Sequence, residues 1–204
     1  MRSSHDAPAT LVALLGPSGA GKTTLIRGLC SSYDYYEYIK PFTTRQLRPD
    51  EADKVHVDHD QFKSLVQKGD IILPNHLYGN WYGPSRSAIY DSVEKGNVPL
   101  IDWPVQKLDG LRKEIALEVF SLYIMPPDLE TLKQRIGSDG RDKDGKRYDS
   151  AVKELEKAHR GEYAGIGPMI INAGEIKSVA SSVHDSIRAY LVDKARSEEH
   201  MRCR

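Results

Sequence analysis

The run Gly16-Pro17-Ser18-Gly19-Ala20-Gly21-Lys22-Thr23 has the spacing G-x-x-x-x-G-K-[ST]. That pattern is suited to holding phosphates. Glycines at 16, 19 and 21 let the backbone turn so that successive N–H groups, from Gly16 through Ser18 and Ala20 to Thr24, face one anion. Lys22 can reach the outer phosphates of a nucleoside triphosphate, and the Thr23 hydroxyl is placed to hold Mg²⁺. Two further groups stand out: the basic run Phe42-Thr43-Thr44-Arg45-Gln46-Leu47-Arg48, and a charged, glycine-punctuated stretch over residues 137–147. A phosphate loop, a second arginine cluster and a charged loop suggest phosphoryl transfer to a small acceptor. A guanine-reading N-K-x-D string, which a GTPase needs, is absent.

The elements around these residues must position them. Thr10 to Leu15 is an apolar run that predicts a buried parallel strand, and Thr24 to Leu29 predicts the helix after the loop. The helix dipole then adds to the attraction for phosphate. Strands are expected at Glu37–Lys40, Asp70–Leu73, Val98–Asp102, Val119–Met125 and Met169–Asn172. Helices are expected at Asp60–Lys68, Ser85–Lys95, Asp128–Ile136, Tyr148–Tyr163 and Ser178–Ala195. Gly69 and Gly96 read as helix stops. Tyr78-Gly79-Asn80-Trp81-Tyr82-Gly83 predicts a hairpin or binding loop. His56, Asp58, His59 and Asp60 read as a polar turn into a helix, because their spacing suits no standard zinc site. Strands alternating with helices point to an α/β fold, a P-loop NTPase sandwich with a central parallel sheet.

Composition sets the outer bounds. The chain of 204 residues has 29 Lys plus Arg against 29 Asp plus Glu. No net field favours a nucleic acid or an anionic membrane, so anion specificity must be local. The partners expected are small molecules. Cys30 and Cys203 form no C-x-x-C, which points to a reducing cytoplasm. One domain over residues 10–195 is expected, with a lead-in at 1–9 and a flexible tail at 196–204.

Thr43-Thr44-Arg45-x-x-Arg48, followed by Tyr82-Gly83-Pro84-Ser85, makes the chain similar to the guanylate kinase family. The resemblance runs from about residue 10 to 192. It also takes in Leu100-Ile101-Asp102, Pro126-Pro127-Asp128-Leu129-Glu130-x-Leu132-x-x-Arg135, Lys146-Arg147-Tyr148 and Ile170-Ile171-Asn172. It implies that Arg45, Arg48 and Tyr82 hold the acceptor phosphate, within an acceptor segment at about 40–96. It implies a lid at about 137–147, with Arg135 on the helix entering it and Arg141 and Arg147 within it neutralising the transferring phosphoryl. Asp102 would stand near the phosphates and Mg²⁺, and Asn172 near the adenine of ATP. Arginine's planar fork suits bidentate phosphate binding, and charge placed over a transferring phosphoryl lowers its barrier.

The guanine-reading positions depart from the resemblance. Pro41 stands where the family has a serine, Leu73 where it has a glutamate, Pro84 where it has a hydroxyl, and Pro104 where it has a second acid. Asn75 and His76 lie close enough to replace Leu73, and Lys54 or His56 can stand in for a second phosphate tyrosine. Tyr78, Trp81, Trp103 and His76 offer rings on which a base can stack, or can serve as packing. Three readings remain open. One is a GMP or dGMP kinase that uses ATP. One is a kinase of another phosphorylated acceptor, such as a modified nucleotide or a ribose phosphate. The third is a non-catalytic binding module, which the retained Lys22 and lid arginines disfavour.

Overall fold

The computed structural model describes residues 9–49, 51–138, 140, 142 and 144–202. The expected lead-in, Arg141 and Cys203 fall outside them, apart from Ala9. The centre is β1 (Thr10–Leu15), which runs into the phosphate loop and then α1 (Lys22–Ser32). Every residue of β1 is buried. Leu11, Ala13 and Leu15 face one hydrophobic core, and Val12 and Leu14 face the other. A strand covered on both faces needs an unbroken apolar run, which is the pattern in the sequence.

Four more strands join β1: β2 (Tyr36–Tyr38), β7 (Val98–Asp102), β8 (Glu118–Met125) and β9 (Met169–Ile171). Their order is β2-β7-β1-β8-β9, and all pairs are parallel. One core packs Leu25, Ile26 and Leu29 of α1 against Val179, Val183 and Ile187 of α7 (Ile176–Arg202). The opposite core takes Ile89 of α3 (Arg86–Glu94), Leu111 of α4 (Leu108–Glu114), Leu132 and Ile136 of α5 (Leu129–Ser138), and Leu155 of α6 (Lys146–His159).

A second sheet stands beside the first. Its strands are β3 (Phe42–Thr43), β4 (Val55–His56), β5 (Asn75–Leu77) and β6 (Asn80–Gly83), in the order β4-β3-β6-β5. The expected hairpin is β5–β6, paired antiparallel with Asn75 opposite Tyr82. α2 (His59–Gln67) follows the polar turn. Asp58 accepts a hydrogen bond from the Gln61 N–H at 2.7 Å, and the Gln61 side chain accepts one from the Asp58 N–H at 3.0 Å. This reciprocal cap confirms the structural reading of the His56–Asp60 cluster.

Several expected elements differ. Phe42 and Thr43 are not loop but strand, because His56 and Tyr82, distant in sequence, pair with Thr43. Asp70–Leu73 is not a strand: Ile71 makes one isolated bridge to Ser85, and Leu73 sits at φ 42 before Pro74. Ile71 and Ile72 are apolar because both are buried, not because they extend a sheet. The second strand ends at Tyr38, although the Ile39 N–H still donates to the Leu100 carbonyl at 3.0 Å. α6 starts at Lys146 rather than Tyr148 because Asp142 accepts from the N–H groups of Arg147 and Tyr148; it ends at His159. α7 extends through 196–202, where a tail was expected. A short 3-10 turn, Val105–Lys107, and α4 had no clear sequence signal.

Two glycines separate steric from conformational demand. A Cβ on Gly16 would lie 2.3 Å from the Ile124 carbonyl oxygen, at φ +127, while one on Gly69, at φ +76, would meet nothing within 4 Å. Gly69→Ala is expected to cost about 1–2 kcal/mol, the strain of a left-handed residue. Gly16→Ala is expected to cost clearly more, because the strand backbone of β8 cannot yield. Urea unfolding of both variants checks the ranking, and equal losses would show that the close approach to β8 is not limiting.

Candidate active site

The site is built where β1 and β7 end. Lys22 opens α1 after Gly21, which caps the helix in a left-handed conformation at φ 92. The Lys22 ammonium donates to the carbonyls of Gly16 at 2.7 Å and Pro17 at 2.9 Å, and lies 3.5 Å from Asp102 Oδ1. The Thr23 hydroxyl donates to Asp102 Oδ2 at 3.3 Å. Asp102 is the last residue of β7, whose register with β1 carries it beside Leu14. Parallel strand pairing thus brings together residues 79 positions apart. The resulting pair of hard oxygen donors, a hydroxyl and a carboxylate, fits the way Mg²⁺ is held by few protein groups plus phosphates. Among the described residues, no group of three or more His, Cys, Asp or Glu could hold a metal ion.

The loop is clamped from behind. Asn172 is buried, its amide donates to the Ala20 carbonyl at 2.7 Å, and its N–H donates to the Met125 carbonyl at 2.7 Å. It therefore supports the loop backbone. Arg135 reaches the same place and donates to the Asn172 carbonyl at 3.4 Å, while its buried Nη1 has no hydrogen-bond partner. A Cβ on Gly21 would lie 2.2 Å from the Asn172 amide nitrogen and 3.8 Å from Arg135 Nη1.

Arg147, at the start of α6, is buried and donates to the Ser18 hydroxyl at 2.6 Å. Its guanidinium carbon lies 5.4 Å from the centre of the Tyr78 ring. One cation thus joins the phosphate loop to the β5–β6 hairpin, the side on which an acceptor would enter. Cation–π attraction supports the second contact.

Arg45 and Tyr82 are also brought together, because β3 and β6 are neighbours and the Tyr82 side chain interacts with the Arg45 guanidinium. The sequence did not reveal that Glu51 holds this arginine. Arg45 Nη2 lies 2.5 and 2.6 Å from the two Glu51 oxygens, and the Arg48 N–H donates to the same carboxylate at 3.3 Å. Arg45 Nη1 donates to the Gln46 carbonyl, and its buried Nε has no hydrogen-bond partner. Lys54 pairs with Glu51 and Asp53, and His56 Nδ1 lies 3.0 Å from the Arg45 carbonyl oxygen. These two residues thus brace the arginine loop. The acidic run Asp50, Glu51 and Asp53 between Arg48 and Lys54 was the available signal, but local spacing could not assign the pairs. Burial would raise the Glu51 pKa, but hydrogen bonds from Arg45 and the Arg48 N–H and the charge of Lys54 more than offset it and hold the carboxyl at about 2.

Comparison with known proteins places this geometry in context. The family model described as Guanylate kinase matches residues 8–190. A guanylate kinase from Clostridioides difficile is 29% identical over 198 residues, covering 92% of this chain and 96% of that protein. One from Alkalilimnicola ehrlichii is 34% identical over 162 residues, covering 76% of this chain and 78% of that protein. The crystal structure of guanylate kinase from Anaplasma phagocytophilum is similar in fold, with a TM-score of 0.68 at 24% identity, covering 93% of this chain and 90% of that one.

The depressed Glu51 pKa has a defined linkage. Its stabilisation is fully present above about pH 5 and is lost as pH falls through about 2. Glu51→Gln is expected to cost on the order of 2 kcal/mol at neutral pH. The deficit is expected to be smaller at about pH 3, between the unfolded-state pKa of 4.5 and the folded value of about 2, than at neutral pH. Urea unfolding at the two pH values reads this directly, and a deficit independent of pH would rule out the ion pair as its source.

Proposed function

The chain belongs to the guanylate kinase family, and from that premise we propose that it transfers the γ-phosphoryl group of ATP to a nucleoside monophosphate. GMP is the acceptor specified by the name of its relatives. The observation that carries the reading is a convergence. Asp102 contacts both Lys22 and Thr23 at the donor side, and Arg147 links Ser18 of the loop to Tyr78 of the acceptor hairpin.

In this reading, loop N–H groups from Gly16 to Thr24, including those of Ser18, Gly19, Ala20 and Gly21, receive the ATP phosphates at the α1 N-terminus. Lys22 exchanges its carbonyl partners for β- and γ-phosphate oxygens. Arg135 and Arg147 stabilise charge on the transferring group, with Arg141 assigned to the same lid. Asn172 keeps the loop in place beneath the nucleotide. Arg45, Arg48 and Tyr82 take the acceptor phosphate, and Asn75 and Tyr78 flank its nucleoside. Thr23 and Asp102 would hold Mg²⁺, which when bound neutralises phosphate charge and orients the oxygens. Catalysis is then positioning and charge stabilisation, with no covalent intermediate on the protein. The partners are small molecules, and the setting is the cytoplasm.

A coupled assay with ATP, Mg²⁺ and GMP tests the proposal. Lys22→Ala is expected to lower kcat by about 100- to 1000-fold, the loss typical of one electrostatic transition-state donor. The variant's thermal midpoint shows that it remains folded. Near-normal turnover in folded Lys22→Ala would remove the kinase mechanism. Arg48→Ala is expected to raise the acceptor KM by at least about tenfold, as for one charge-assisted hydrogen bond, with ATP affinity retained. Loss of ATP affinity alone would reverse the two sites.

A further inference from the structure

Lys107 is a cation that the reading above leaves unused. It ends the 3-10 turn that follows Asp102, and its ammonium donates to the Pro74 carbonyl at 2.9 Å. Pro74 immediately precedes Asn75, whose strand partner is Tyr82. Leu73, on the other side of Pro74, packs under α4, with Cδ1 3.2 Å from where a Cβ on Gly110 would lie. The ammonium thus stands where the donor-side turn meets the base of the acceptor hairpin.

Its surroundings lack a counter-charge. Among the described residues, Lys107 has no carboxylate partner and the Pro74 carbonyl is its one hydrogen-bond acceptor. An ammonium carries three N–H donors, so two remain. Burial lowers its pKa, as expected for a cation short of solvent. Three carboxylates around the acceptor segment are already committed: Glu51 to Arg45 and Lys54, Asp53 to Arg27 and Lys54, and Asp102 to Lys22. Trp103, between β7 and the turn, is in the core, and its buried Nε1 has no hydrogen-bond partner. Indole nitrogen only donates. The Lys107 ammonium therefore has donors to spare, and its complement is a ligand edge that accepts.

We infer that Lys107 is a specificity-determining residue that donates to an oxo group on the acceptor's base. The inference rests on the nucleoside monophosphate kinase reading. An oxo group can take the ammonium N–H. An amino group at the same ring position would set donor against donor and leave the ammonium without a partner.

Two acceptor pairs exchange the oxo group, with its neighbouring ring N–H, for an amino group beside a bare ring nitrogen: IMP against AMP, and UMP against CMP; the change in each ratio on substituting Lys107 isolates the lysine's part. The test measures kcat/KM for all four with wild type, Lys107→Met and Lys107→Arg, together with the KM for ATP and the thermal midpoint. Wild type is expected to prefer the oxo member of each pair by about 10- to 100-fold, the range for a hydrogen bond to a charged group. Lys107→Met is expected to bring both ratios close to one through the acceptor KM, with the KM for ATP unchanged. Lys107→Arg is expected to restore the preference. Lys107→Gln serves the same purpose if the Met variant does not fold. A wild-type ratio near one overturns the inference. So does a ratio unmoved in Lys107→Met, which would make the lysine a structural pin for Pro74. Those outcomes leave the kinase reading intact, whereas no turnover with these acceptors or GMP would overturn both.

Discussion

The structure depends on keeping one turn of backbone open to an anion. The loop between β1 and α1 must present N–H groups outward, although its Ala20 N–H donates to the Pro17 carbonyl at 3.2 Å, and it must be held from behind. β8 supplies the Ile124 carbonyl against Gly16, α5 supplies Ile136 and Leu132 against Gly19, and the segment after β9 supplies Asn172 against Gly21. The Ile124, Ile136 and Asn172 contacts approach closer than a Cβ permits. The central sheet and one helix layer thus converge on a few residues, with Asn172 holding the Ala20 carbonyl.

Charge is organised locally on this frame. The chain is neutral overall, yet the cations of the candidate site each have a defined setting. Lys22 is held by its own loop carbonyls and Asp102, Arg45 by Glu51, and Arg147 by Ser18 and the face of Tyr78. Such contacts fix side chains that would otherwise lose rotamer freedom on binding phosphate. Preorganisation is the property that electrostatic stabilisation of a transferring phosphoryl requires. Arg147 has a second consequence: it couples the position of α6 to both the loop and the hairpin.

The two ends of the acceptor region are built differently. Near Tyr82, short strands bring Arg45 and its Glu51 brace into a charged cluster. Around Leu73 and Pro74 the backbone leaves the sheet, apolar side chains turn into the core, and Lys107 supplies the nearby charge. The first end is suited to a phosphate. At the second, the Lys107 ammonium meets the Pro74 carbonyl at 2.9 Å.

Motifs with short spacing were legible in the sequence. The phosphate loop follows from glycines and a lysine within eight residues, and the buried strands follow from runs that must be apolar on both faces. The capped helix entry at Asp58 and the hairpin over Tyr78–Gly83 are equally local. Tertiary structure alone decided that Phe42–Thr43 is strand, that Ile71 and Ile72 are buried without being sheet, and that Asn172 grips the loop. It also paired Glu51 with Arg45 and seated Lys107 against Pro74. The physical reason is range. Backbone turns and helix caps are set by neighbours in the chain, whereas a two-residue strand or a side-chain ion pair gains its stability from partners that only the folded sheet brings within hydrogen-bond distance.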